Sequence, residues 1–205
     1  MSTTHLTQWL AKAAQSFPDK TALVAGEEEV SWSALFRRVM KTAVYLQQHH
    51  IKRGDRVVVW LPNSIDFVVC FWAVQYLQAI FVPVNPETPV ARVGWILSNA
   101  EAALLIARSE TAQALFTASG EPVPYPVLFD KPGTESQMHP ALRSLEEITG
   151  HADVTPLTVK NALDIDLACL IYTSGSTGDP KGVMLSQRNV LSAATSVSTY
   201  KNKAA

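Results

Sequence analysis

The sequence predicts an α/β protein of layered, largely parallel sheets flanked by helices. Three observations carry this. Short runs rich in β-branched and aromatic residues alternate with longer stretches of helical apolar spacing over most of the chain. One run, VVVWL at 57–61, is apolar at every position, as expected of a strand covered on both faces. The composition, 47% hydrophobic and 17% charged over 205 residues, is that of a folded domain, not of a disordered chain.

The elements follow in order. Residues 5–17 set Leu6, Trp9, Leu10 and Ala13 at helical spacing, and Pro18-Asp19 stops the helix. TALVA at 21–25 reads as a short strand with its turn at Gly26-Glu27, and the acidic run Glu27-Glu28-Glu29 as a solvated turn. Ser31 caps a second helix with the face Leu35, Val39, Thr42, Ala43 and Leu46, reaching His50. A Gly54-Asp55 turn leads into the 57–61 strand, which Pro62 ends. Asn63 or Ser64 caps a third helix that extends to Gln78. IFVPV at 80–84 is a strand whose proline puts it near a sheet edge or a strand end.

Thr88 then caps a fourth helix with Pro89 at its first position; Val93, Ile96 and Leu97 form its face and it ends near Asn99. AALLIA at 102–107 is the next strand, followed by a short helix at 110–118. Six prolines lie between 122 and 156, so 119–160 reads as a Pro-rich surface excursion, with a strand at 127–129 and a short helix at 141–148. The pattern then resumes. A strand at 168–172, a polar loop from Thr173 to Pro180 and a strand at 182–185 make a hairpin, and Ser186 or Asn189 opens a last helix to Tyr200.

Charge and composition exclude several classes. Lys plus Arg is 17 against 18 for Asp plus Glu, a net charge of −1, which offers no basic surface to nucleic acid. Cys70 and Cys169 each sit in an apolar run and read as buried thiols, not a disulfide framework; a reducing, cytoplasmic compartment fits. The N-terminal MSTTHLTQWL lacks the basic-then-apolar order of a secretory signal. FVVCFWAVQYLQAIFVPV at 67–84 is interrupted by Gln75, Gln78 and Pro83, and reads as a buried helix running into a buried strand with no integral membrane segment.

Isolated reactive residues get structural readings. His49-His50 are adjacent at a helix end and cannot share one helical face as a metal pair would, so an interaction with the helix C-terminal dipole is expected. His5, His139 and His151 are isolated, no Cys/His cluster has zinc spacing, and no metal ligand is assigned. Glu146-Glu147 and Asp164/Asp166 read as surface or turn carboxylates, and Arg37-Arg38 with Lys41 as a solvated helix face. Trp9, Trp32, Trp60, Trp72 and Trp95 fall on apolar faces and are expected in the core. Ser174 and Ser176 lack the G-x-S-x-G setting of a nucleophile.

The informative element is YTSGSTGDPKG at 172–182. Thr173, Ser174, Ser176 and Thr177 bring four hydroxyls within a few residues of Gly175 and Gly178, and Lys181 follows. Glycines let consecutive N–H groups turn into one concavity, hydroxyls add donors and the lysine adds a full charge; such a loop suits a polyphosphate. It is not a nucleoside-triphosphatase P-loop, because Asp179-Pro180 separates Gly178 from Lys181 and a strand, not a helix, follows.

YTSGSTGDPKGVMLS resembles the phosphate-binding signature of adenylate-forming enzymes, the acyl-CoA synthetases, adenylation domains of nonribosomal peptide synthetases and luciferases. RGDRVVVWLPNS at 53–64 and FVPVNPETP at 81–89 extend the resemblance upstream in the same order, so it covers nearly the whole chain. The resemblance implies that residues 1–205 are the N-terminal portion of one AMP-binding domain, an incomplete part of the large domain of such enzymes. It implies ATP-dependent activation of a carboxylic acid, fatty or other, to an acyl-adenylate, then thioester formation with coenzyme A. The alternatives are an amino-acid adenylation domain loading an acyl or peptidyl carrier protein and, in another class, a non-catalytic remnant or interaction module. By resemblance, Thr173, Ser174, Gly175, Ser176, Thr177, Gly178 and Lys181 would hold the ATP phosphates, with Mg2+ accompanying them. The family's adenine and acyl pocket and its reacting lysine correspond to positions past Ala205, so no catalytic residue is assigned, and a truncated chain inactive on its own is expected.

Two departures from the relatives are visible. Many relatives carry a glycine in the turn before the proline-containing strand, where this chain reads Leu77-Gln78-Ala79-Ile80. Relatives often carry histidine after the serine that follows the second strand of the hairpin, where this chain has Gln187.

Overall fold

The computed structural model describes residues 5–119, 127–129, 157, 163–173 and 180–203. The chain begins with α1 (Leu6–Ser16), a hairpin of β1 (Thr21–Ala25) and β2 (Glu28–Ser31), and α2 (Trp32–Gln48). Then come β3 (Arg56–Trp60), α3 (Ile65–Tyr76), β4 (Ile80–Pro83), α4 (Val90–Asn99), β5 (Leu104–Ala107) and α5 (Ser109–Ser119). β6 (Val127–Phe129), β7 (Leu167–Thr173), β8 (Lys181–Ser186) and α6 (Gln187–Lys203) complete the described elements.

Three helix starts follow capping residues in the sequence. The Ala34 N–H donates to Ser31 Oγ at 3.3 Å and the Phe67 N–H to Ser64 Oγ at 3.1 Å, so Ser31 and Ser64 cap α2 and α3. At α6 the Asn189 N–H donates to Ser186 Oγ (3.3 Å) while the Ser186 N–H donates back to Asn189 Oδ1 (2.9 Å). This is a reciprocal box with asparagine in the place usually held by glutamate or glutamine.

Six strands form one sheet in the order β6-β5-β3-β4-β7-β8. All neighbours are parallel except β7 and β8, which are antiparallel. Alternation along the central strands feeds two cores. Val57 and Val59 of β3, Phe81 of β4 and Ile106 of β5 pack with α1, α2 and α3. Val58, Trp60, Val82 and Leu105 pack on the other face with Val93, Ile96 and Leu97 of α4 and Leu115 of α5. A strand with helices on both sides needs apolar residues at every position, which is why VVVWL reads as a continuous run. The helices after β3 and β4 lie on opposite faces, which makes this the point where the winding of the sheet reverses. The fold class is therefore as predicted, a mostly parallel sheet flanked by helices.

Several expectations need correction. Glu28 and Glu29 lie in β2, paired with Ala25 and Val24, and only Gly26-Glu27 is turn. The strand carries one buried apolar residue, Val30, too little alternation to read as a strand. Of the two places expected for Pro83, a sheet edge or a strand end, it takes the second, as the last residue of the interior strand β4. Pro89 itself, at φ −56° and ψ 140°, stands in the N-cap position, so α4 starts one residue later than expected and Thr88 is not its cap. Thr88 instead donates its N–H to Asn85 O at 2.9 Å, and Asn85 Oδ1 accepts from the Glu87 N–H, an Asx turn that claims this segment before the helix starts. Of the five tryptophans, Trp60 is buried, Trp32 and Trp72 are half-buried, and Trp9 and Trp95 are 40% and 37% exposed.

The 67–84 stretch is α3 followed by β4, and no helix among the described residues is long and apolar enough to cross a membrane. Cys70 and Cys169 are free and buried. The excursion 119–160 and the helix expected at 141–148 lie, except for Ser119, Val127–Phe129 and Leu157, outside the described residues. Gln78, in the turn before β4, adopts φ +55°.

Candidate functional site

The polar loop springs from the β7–β8 hairpin. The register runs Cys169 with Leu185, Leu170 with Met184, Ile171 with Val183, Tyr172 with Gly182 and Thr173 with Lys181. Thr173 and Lys181 therefore face each other where the loop leaves and re-enters the sheet, and Thr173 Oγ1 donates to Lys181 O at 3.5 Å. Both residues are exposed. Of the residues predicted to hold phosphate, these two are among the described ones; Ser174, Gly175, Ser176, Thr177 and Gly178 lie outside them.

Thr173 is the carboxyl end of a strand running parallel to β4, so the loop opens on the edge where β3, β4 and β5 also end. In open α/β sheets ligands bind along that edge. The ammonium of Lys181 takes part in none of the ion pairs among the described residues, which leaves its charge available to an anion. No group of three or more His, Cys, Asp or Glu that could hold a metal occurs among the described residues.

The strand below the loop is held by its neighbours. Tyr172 Oη donates to Asn99 Oδ1 at 2.7 Å, and its ring meets Trp95 edge-on with centroids 5.9 Å apart. Burial raises the Tyr172 pKa, partly opposed by the Arg56 guanidinium, so the phenol stays a donor. Gly182 lies opposite: a Cβ there would come within 2.9 Å of Leu170 Cδ1.

The other end of the hairpin is anchored more heavily. Arg53 Nη2 reaches both carboxylate oxygens of Asp166 at 2.7 and 2.8 Å, and Asp166 Oδ2 accepts from the Leu163 N–H at 2.8 Å. The Gln187 N–H donates to Asp166 O and the Arg188 N–H to Asp164 O, each at 2.8 Å. Asp164 and Asp166 are thus in a turn, as the sequence predicts, and in addition pair with Arg188 and Arg53. Sequence reasoning gave no role to the buried amides of Gln75 and Gln187, which bond each other at 2.7 Å. Their signal was present: a glutamine amid the apolar residues of α3, and a glutamine at the start of α6.

Two cavities lined by described residues lie away from Thr173 and Lys181. One, of about 370 Å³, is bounded by Trp9, Phe17, Trp32 and Trp72 beside α1; the other, of about 550 Å³, by Gln47, His50, Arg53 and Leu77 below α2.

A mostly parallel sheet wound on both faces, with a long connection leaving its carboxyl edge, places the chain among the open, doubly wound α/β proteins. The chain belongs to the AMP-binding enzyme family, which matches residues 10–204. It is 32% identical over 175 residues, 85% of its length, to the L-proline–[L-prolyl-carrier protein] ligase of Pseudomonas fluorescens, of which it covers 33%. It is 29% identical over 203 residues, 89% of its length, to the long-chain-fatty-acid–CoA ligase of Bacillus subtilis, of which it covers 36%. The fatty acyl CoA synthetase of Mycobacterium tuberculosis superposes with a TM-score of 0.77 at 26% identity, over 95% of this chain and 37% of that one. The chain thus spans about a third of the length of these relatives, and as little as 2% of a larger synthase it also matches. The family is one of adenylate-forming, ligase-type enzymes.

Proposed function

We propose that this chain supplies the phosphate-binding part of an enzyme that activates a carboxylic acid with ATP. A carboxylate oxygen forms a bond to the α-phosphorus, the bond from that phosphorus to the β-phosphate oxygen breaks, and acyl-adenylate and pyrophosphate result. The residues that would hold the β- and γ-phosphates are Thr173, Ser174, Gly175, Ser176, Thr177, Gly178 and Lys181. Their part is to balance charge on the leaving pyrophosphate and keep it in line with the attack. Mg2+ would arrive with the nucleotide and supply further charge neutralisation on the phosphates. The observation that carries the reading is the pairing of Thr173 with Lys181 across the mouth of the loop, at the carboxyl edge of the sheet, with the lysine in no ion pair among the described residues.

The acyl group then passes to a thiol. Coenzyme A is the first acceptor to test, in a cytoplasmic setting consistent with two buried free thiols. A carrier-protein thiol is the second reading, favoured by the similarity to the prolyl-carrier ligase at slightly higher identity. In this reading residues 1–205 form one portion of a single adenylation domain, with 119–160 as a surface excursion within it.

The test is ATP–pyrophosphate exchange, run on the full reading frame that encodes this chain with a panel of fatty, aromatic and amino acids. Exchange driven by one acid class is expected, with thioester then formed on coenzyme A or on a carrier protein. Absence of exchange with every acid overturns the reading.

A further inference from the structure

The pairing of Thr173 with Lys181 depends on the register of the β7–β8 hairpin, and that register contains an irregularity. Leu167 lies opposite Ser186 and Cys169 opposite Leu185, so Ala168 is an extra residue in β7, a bulge. Beyond the bulge every pair up to Thr173 with Lys181 is set by where the extra residue sits. A one-residue slip would turn each side chain of one strand to the opposite face and part Thr173 from Lys181.

Two buried amides meet at this bulge. Gln75, on α3 and 1% exposed, donates Nε2–H to Ala168 O at 3.0 Å. Its Oε1 accepts from Gln187 Nε2 at 2.7 Å, and Gln187 is 6% exposed at the start of α6, directly after β8. The carbonyl of the bulged residue is thereby satisfied by a side chain fixed in the α1–α3 core, and the same side chain grips the far end of the partner strand. An unsatisfied buried amide is costly, so the arrangement favours this one register over its neighbours.

We propose that Gln75 and Gln187 are positioning residues for the phosphate-binding loop, acting by pinning the Ala168 bulge and with it the Thr173–Lys181 pairing. This rests on the phosphate-binding reading of the loop. An imidazole at position 187 also offers an N–H donor, so Gln187→His can keep the bridge to Gln75 Oε1.

The experiment compares the full chain with Gln75→Leu, Gln187→Leu, the double variant and Gln187→His. Inorganic tripolyphosphate is titrated calorimetrically, and hydrogen exchange is followed in peptides covering 167–173 and 181–186 and, as reference, 56–60. Each single leucine variant is expected to weaken tripolyphosphate binding about tenfold and to speed exchange in the hairpin about tenfold, with β3 unchanged. The double variant should be no worse than the singles, and Gln187→His should return binding and exchange to within about threefold of the parent. If Gln75→Leu does not fold, Gln187→Leu, which leaves the Gln75–Ala168 bond in place, carries the test. Unchanged hairpin exchange in the leucine variants, or a fall in melting temperature with hairpin and β3 affected equally, overturns the proposal. Lys181→Ala separates the two claims. If the parent binds no tripolyphosphate, or binds it equally well without Lys181, the phosphate reading falls and the exchange rates alone decide whether the amides pin the hairpin.

Discussion

The centre of the sheet and the β7–β8 hairpin solve opposite problems with the same kind of strand. In β3, Val57, Val58 and Val59 are fully buried and Trp60 is 3% exposed, with helices on both faces. In β8, Val183 and Met184 are 45% and 66% exposed and the strand forms one edge of the six-stranded sheet. The centre is held chiefly by apolar burial, with directed bonds at its ends, where Arg56 Nε donates to Ala100 O and Trp60 Nε1 to Asn85 O. The hairpin is held by directed bonds: Arg53 to Asp166, Gln75 to Ala168 and Gln187, and Tyr172 to Asn99. The difference teaches where stability and chemistry reside. Substitutions in the centre should change folding and leave the loop's chemistry intact when the fold survives; substitutions at the hairpin tip should do the reverse.

The largest expected effect falls on the centre. Ile106 of β5, opposite Val59, is fully buried, and Ile106→Ala should lower the unfolding free energy by about 3 kcal/mol. Met184→Ala in β8 should change it by less than about 0.5 kcal/mol in the same urea titration. Similar losses at both positions would erase the contrast.

Alkaline pH probes the same contrast through its two thiols. Burial, with a smaller contribution from the Asp66 carboxylate, pushes the Cys70 thiol far up, whereas burial brings Cys169 in the hairpin only to about 11. A folded pKa above the ordinary 9.0 means stability that is full below pH 9 and is lost as pH rises beyond it. Each thiol should remove about 1.4 kcal/mol per pH unit, ceasing for Cys169 near its folded value. Thiol labelling of the folded chain should reach Cys169 before Cys70. Unfolding free energies flat from pH 9 to 10.5 would contradict the burial of both.

A smaller effect on stability, with a clear one on binding, is expected at the tip. Lys181→Ala combined with Thr177→Ala should leave the melting temperature within about 2 °C of the parent and weaken MgATP binding at least about tenfold. Unchanged affinity by calorimetry would remove the loop from nucleotide binding. The smallest effect is a gain. Gln78 holds φ +55° in the turn before β4, and its carbonyl accepts from the Gly54 N–H at 3.0 Å. Gln78→Gly keeps that backbone bond and relieves the left-handed strain, so stability should rise by about 0.5–1 kcal/mol. A loss on urea titration would show that the side chain contributes more than the strain costs.

Much of this was legible before the structure. VVVWL, the serines at 31 and 64 and the periodic faces of α2 and α4 are local signals, each decided within one turn of helix or a few residues of strand. The loop proposed to hold phosphate stood out for the same reason, its candidate residues being consecutive. What stayed hidden was non-local or marginal. Glu28–Ser31 pairs as a strand only because β1 lies beside it, and Trp9 and Trp95 face solvent although their spacing places them on apolar faces. In the sequence Gln75 registers only as a break in an apolar run; its partner stands 112 positions away, and no periodicity connects them.

The interior place of β4 also has a history in time. Ile80 and Val84 aim their N–H groups at β3, bonding Asp55 O and Val59 O at 2.7 and 2.9 Å, so the nitrogen of Pro83 faces the side where β7 docks. The tie between Gln75 and Ala168 spans 93 positions, whereas β3, β4 and β5 join through single-helix crossovers. Near contacts form sooner than distant ones, and synthesis runs in the same direction. A nascent chain therefore carries β4 as an open border until the hairpin arrives. A proline there, with no N–H to offer a stray strand, guards that border during the wait.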